Sequence, residues 1–209
     1  MVGPSSSHTA GALRIGRAAA LVLGEKPAKA EITLYGSFAK TYRGHGTDRA
    51  LAAGLLGMNT DDDRIKDALV IAPREGMQTI FALESAGTVH PNTAGVKLTG
   101  VSGRTVFVEG SSIGGGNIVI GRVNQFAVYI RGIYPTLLVE HKDRPGVIGR
   151  VTSALGQRGI NIASMAFARE QKGADNLMVI ETDEPVTEEV MKQVEALSDV
   201  IEVIKMNSV

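Results

Sequence analysis

Small apolar residues dominate the start of the chain. Ala10-Gly11-Ala12-Leu13-Arg14-Ile15-Gly16-Arg17-Ala18-Ala19-Ala20-Leu21 predicts a helix that stops at Gly24. Polar and apolar positions then alternate through Glu31-Ile32-Thr33-Leu34-Tyr35-Gly36, the period of a strand. Thr47 and Asp48 are placed to cap a second helix through Ala50–Leu56, closed by Gly57. Asp61-Asp62-Asp63 leads into a short helix reaching Leu69, its acidic residues at the favourable end. From Ile80 onward strands dominate. Two hairpins are expected: Val96–Thr99 with Arg104–Glu109 around Gly100-Val101-Ser102-Gly103, and Asn117–Val123 with Phe126–Arg131 around Asn124-Gln125.

Gly132-Ile133-Tyr134-Pro135 reads as a linker, and beyond it the pattern sharpens. Thr136–His141 is a strand, and Asp143-Arg144-Pro145 starts a helix with Val147, Val151 and Leu155 on one face and Ile148 beside them. Ile160–Ala168 and Asn176–Thr182 are strands joined by the polar turn at 170–173. Thr187, Glu188 and Glu189 open a second helix bearing Val190, Val194 and Leu197, and Val200–Met206 closes as a strand. The order βαββαβ is ferredoxin-like. The fold class expected is therefore α+β: a mixed α/β domain over 1–132, then a ferredoxin-like domain over 136–209.

Charge and composition narrow the function classes. The 22 basic residues balance 22 acidic ones, which gives no general footing on nucleic acid or an anionic membrane. No cysteine is present, so the chain has neither a disulfide nor a thiolate ligand for iron or zinc. No apolar run approaches the ~18 residues of a membrane span. A cytoplasmic protein is the default expectation.

Candidate chemistry gathers at Gly3-Pro4-Ser5-Ser6-Ser7-His8-Thr9, where hydroxyls surround an imidazole just before the first helix. A helix start offers free N–H groups to a carboxylate, and histidine is the side chain that titrates near neutrality. The simpler alternative is a serine-rich cap with a surface histidine. Gly44-His45-Gly46-Thr47-Asp48 sets a second histidine between glycines, either close to a ligand or in a tight turn. Ser111-Ser112-Ile113-Gly114-Gly115-Gly116-Asn117 offers successive N–H groups to a carboxylate, or simply bends the chain. His90-Pro91-Asn92-Thr93 is a site segment or an ordinary Pro-Asn turn, and His141 is expected at the surface.

The segment from Gly3 to Ala12 resembles the signature of the iron–sulfur-dependent L-serine dehydratases, in particular their beta subunit. Tyr35–Thr41 with Gly44–Leu51, His90–Asn92 and Ser112–Ile118 resemble further blocks of that family. The resemblance implies that His8 is the catalytic base and that Ser5, Ser6, Ser7, Thr9, His45 and Gly115 contact substrate. It also implies further residues ahead of the motif, a [4Fe–4S] cluster held by a cysteine-bearing alpha subunit, and no pyridoxal phosphate. Residues 135–206 resemble an ACT domain, a module that binds amino acids at the interface of a pair or serves only to dimerise. Its ligand loop would include Asp143, Pro145, Gly146, Val147 and Ile148. A rival resemblance of the N-terminal part, to the intervening domain of some phosphoglycerate dehydrogenases, implies a regulatory module with no catalytic residue.

Overall fold

The computed structural model describes residues 7–169, 171 and 173–209. They form two compact units, one reaching Asn124 and including Val209, the other running from Gln125 to Ser208.

In the first unit a π-helical turn, Ser7–Gly11, runs directly into helix α1, Ala12–Leu23. Gly24 ends α1 in the left-handed region (φ 74°), and its N–H donates to the Ala20 carbonyl. Ser7, His8 and Thr9 therefore lie inside the first helical turn rather than ahead of it. Strand β1, Pro27–Tyr35, is longer than its alternation suggests. It leads into α2, Gly36–His45, a helix missing from the sequence reading, and then α3, Thr47–Leu55. Gly46, at φ 72°, separates the two helices. Thr47 and Asp48 consequently sit within α3 and do not cap it: the Asp48 carboxylate accepts from the Arg49 N–H, at 2.8 Å.

The acidic stretch forms a 3-10 turn, Asp63–Asp67, capped by Asp62, and continues as α4, Ala68–Arg74. Strands β2 (Gln78–Glu84), β3 (Thr93–Gly100), β4 (Thr105–Gly114) and β5 (Asn117–Val123) complete a sheet ordered β2-β1-β3-β4-β5. β1 pairs parallel with β2 and antiparallel with β3. Helix α1 is buried along most of its surface and packs on β3 and β4 as well as on α3. Gly110 leaves room for Ile15 of α1, whose carbons would lie 3.0 Å from a Cβ there.

The second unit holds β6 (Phe126–Ile130), β7 (Thr136–Lys142), α5 (Val147–Gly156), β8 (Ile162–Arg169), β9 (Asp175–Thr182), α6 (Glu188–Glu195) and β10 (Val200–Met206). The sheet order β10-β7-β9-β8, antiparallel throughout, is the ferredoxin-like arrangement expected from the pattern. Leu137, Val139, Met178 and Ile180 meet Val147, Val151, Leu155, Val190 and Val194 in one core.

Local starts differ from expectation in physically simple ways. Helix α5 begins at Val147 and not at Pro145, because Gly146 takes φ 85° and breaks any helix begun before it. Leu197 follows the end of α6 but still packs against the core. Thr187 caps α6 as expected, accepting from the Val190 N–H. Among the described residues no helix is long and apolar enough to cross a membrane.

Candidate functional site

His8 is the centre of the site. It is only 8% exposed, and Thr9 beside it is also buried. The π-turn directs its ring toward α2, where Nε2 lies 3.1 Å from Ser37 Oγ. The rings of Phe38 and His45 meet it edge-on, with centroids 5.4 and 4.7 Å away. Burial, and after it the neighbouring His45 ring, hold the His8 imidazole below its ordinary value of 6.5. A histidine so placed is neutral near pH 7 and able to accept a proton.

Distant segments close around this ring. The N–H groups of Ser37 and Phe38, which open α2, both donate to the Pro91 carbonyl, at 2.7 and 3.2 Å. Gly36 makes the approach possible, since it has φ 55° and a Cβ there would lie 2.8 Å from Pro91 Cα. Asn92 in turn accepts from the Ser112 N–H through its carbonyl, at 2.9 Å. Ser112 then presses on the π-turn: a Cβ on Gly11 would lie 2.1 Å from its Oγ. The blocks around residues 8, 37, 45, 91 and 112, far apart in sequence, are thus in one place.

Buried polar atoms line the same region. His45 Nδ1, Thr47 Oγ1, Asn92 Oδ1 and Ser112 Oγ have no hydrogen-bond partner among the described residues. Such groups are costly to leave unpaired and suit a polar ligand.

Ser7 lies in the π-turn, whereas Ser5 and Ser6 lie outside the described residues. The three glycines form the β4–β5 turn, all at positive φ. Gly115 is exposed at its tip, and buried Gly116 faces Ala10 of the π-turn. His90 is exposed, and its Nδ1 accepts from the Asn92 N–H at 3.1 Å, which organises the turn.

In the second unit, Asp143 accepts from the Gly173 N–H at 2.9 Å and from Arg169 at 2.5 Å. Those bonds, the backbone one foremost, hold its carboxyl below the usual carboxylate value. Pro145, Gly146 and Ile148 are exposed, while Val147 is buried in the core. His141 is not a surface residue. It is 2% exposed, because the alternation of β7 sets it on the same sheet face as Leu137 and Val139.

The sequence placed Ser37 in the Tyr35–Thr41 block without linking it to His8. The available signal was a Gly-Ser pair between a strand and a following polar stretch, the place where a left-handed glycine turns the chain into a helix.

Comparison with known proteins agrees with this architecture. Residues 135–199 match the ACT domain model, so the chain carries an ACT domain there. Residues 1–72 match the family described as the serine dehydratase beta chain. The chain is 43% identical to the probable L-serine dehydratase beta chain of Bacillus subtilis, over 99% of its own length and 93% of that protein. It is 41% identical to the L-serine dehydratase beta chain of Peptoniphilus asaccharolyticus, over 90% and 85%. It belongs to the L-serine dehydratase beta-chain family. A weaker likeness, 30% identity over 76% of the chain, joins it to 30% of a D-3-phosphoglycerate dehydrogenase from Methanocaldococcus jannaschii.

Proposed function

We propose that this chain is the beta subunit of an iron–sulfur L-serine dehydratase, which turns L-serine into pyruvate and ammonia together with a cysteine-bearing alpha subunit. The observation that supports it best is the buried His8, set against His45 and Ser37 within the family's matched segment. In this reading His8 accepts the α-proton of serine. Ser5, Ser6, Ser7, Thr9, His45 and Gly115 contact the substrate. Loss of the β-hydroxyl gives aminoacrylate, which tautomerises to an imine and hydrolyses to pyruvate and ammonia.

This chain's residues do not fit a [4Fe–4S] cluster. It has no cysteine, and among the described residues no group of three His, Cys, Asp or Glu is placed to hold a metal. The cluster ligands in this reading belong to the alpha subunit. No pyridoxal phosphate takes part.

The ACT domain is the proposed serine sensor, with Asp143, Pro145, Gly146, Val147 and Ile148 around the ligand. It also offers a surface for self-association, since β8 is an edge strand with Met165 and Phe167 exposed. The domains assigned to these roles are 1–132 and 136–209.

The test is pyruvate formation from L-serine under anaerobic conditions. The purified chain alone should be inactive, and activity should appear when a cysteine-bearing alpha subunit is added. Activity of the chain alone removes the need for a partner. A well-formed complex with no activity favours the regulatory reading suggested by the dehydrogenase likeness.

A further inference from the structure

We infer that Ser37 is a positioning residue for the reaction, fixing the orientation of the His8 ring through its hydroxyl. The inference rests on the reading of His8 as the base.

Ser37 is held from several sides. Its N–H donates to the Pro91 carbonyl at 2.7 Å, and its own carbonyl accepts from Thr41 Oγ1 at 2.8 Å. Its hydroxyl is therefore presented to His8 Nε2 from a backbone hydrogen-bonded on both sides. A hydroxyl can donate to a bare ring nitrogen or accept from a protonated one, so Ser37 can hold Nε2 in place in either tautomer. Phe38 and His45 restrict the ring by shape, and Ser37 makes a polar contact with Nε2.

Ser37 also lines an open cleft of about 700 Å³ with Gly36, Lys40, Thr41, Glu84 and Pro91. It stands between His8 and this cleft. A Ser–His contact raises the question of a nucleophile, and the backbone answers it. The Ser37 and Phe38 N–H groups that would have to stabilise an oxyanion are already bonded to the Pro91 carbonyl. The hydroxyl is therefore assigned the role of orienting its neighbour.

Two measurements test the inference. In the full chain with ¹⁵N-labelled histidine, Ser37→Ala should shift the His8 ring-nitrogen resonances, and Ser37→Thr should restore them. In the complex with the alpha subunit, loss of one hydrogen bond should lower kcat about tenfold with KM changed less than about twofold, and threonine should recover most of it. His8 resonances that do not move in Ser37→Ala, or a kcat loss that threonine does not rescue, overturn the inference. His8→Gln supplies the separate control. If that variant keeps its kcat, the reading of His8 as base has failed, and with it the catalytic purpose of the bond. If His8→Gln is inactive while Ser37→Ala is normal, only the role of Ser37 has failed.

Discussion

Gly16 of α1 and Gly54 of α3 meet with no room for a side chain between them. A Cβ on Gly54 would lie 2.0 Å from the Leu13 carbonyl oxygen, and one on Gly16 would lie 2.4 Å from that of Leu51. The two helices therefore pack backbone to backbone, and α3 also packs against the π-turn that carries His8. Small residues that look like a weak helix in the sequence are the condition for this approach.

Gly54→Ala should accordingly destabilise the fold by about 1–3 kcal/mol, since the new methyl must push one backbone off another. Gly44→Ala is the control: it lies in α2, with ordinary backbone angles and nothing within 4 Å of its Cβ. Alanine there should be neutral or stabilising by up to about 1 kcal/mol. Chemical denaturation of the full chain measures both.

His8→Ala should lower kcat of the assembled enzyme by roughly 10²–10⁴, with a modest change in KM. Circular dichroism and melting of the variant separate lost chemistry from lost folding. Near-normal kcat would move the base elsewhere, and His45 would be tested next.

The titration of His8 should reveal its neighbours. Burial and His45 both lower its value, so its midpoint by NMR should fall below 6.5 in the full chain. His45→Gln removes the second contribution and should raise the midpoint toward 6.5. The sign for stability follows. A histidine that the fold keeps neutral contributes fully above about pH 6.5, and the contribution is lost as pH falls from there through the lower folded value. A midpoint that stays put in His45→Gln would deny the coupling of the two rings.

The ACT turn supplies a prediction for regulation. Gly146 has φ 85° and precedes α5, so a β-branched residue there is strained and blocks close approach of a ligand to the backbone. If L-serine binds there, rate against serine concentration should be sigmoidal or show a lag, and Gly146→Val should make it hyperbolic. Calorimetry with the full chain checks binding directly. Hyperbolic kinetics in the unsubstituted complex, with no serine bound at the turn, would leave the domain a dimerisation unit.

The ACT domain was legible almost element by element because its information is local. Val147, Val151 and Leu155 repeat at helical spacing, and Thr187 marks a helix start through its own side chain. Each face declares what it will bury before any partner is known. The motif residues around His8 and His45 were legible as candidate chemistry for the same reason. The sequence did not contain, in any local form, the arrangement that makes them one site. Helix α2 has no strong apolar stripe, and its start depends on a left-handed Gly36 docking against Pro91, more than fifty residues on. The edge-on contact of His8 with His45, the bond to Ser37 and the burial of His141 all come from packing between segments far apart in the chain. Periodicity determines which side of an element faces inward. Only the tertiary structure, through close contacts such as Gly16 with Gly54 and Gly11 with Ser112, decides which inward-facing residues meet.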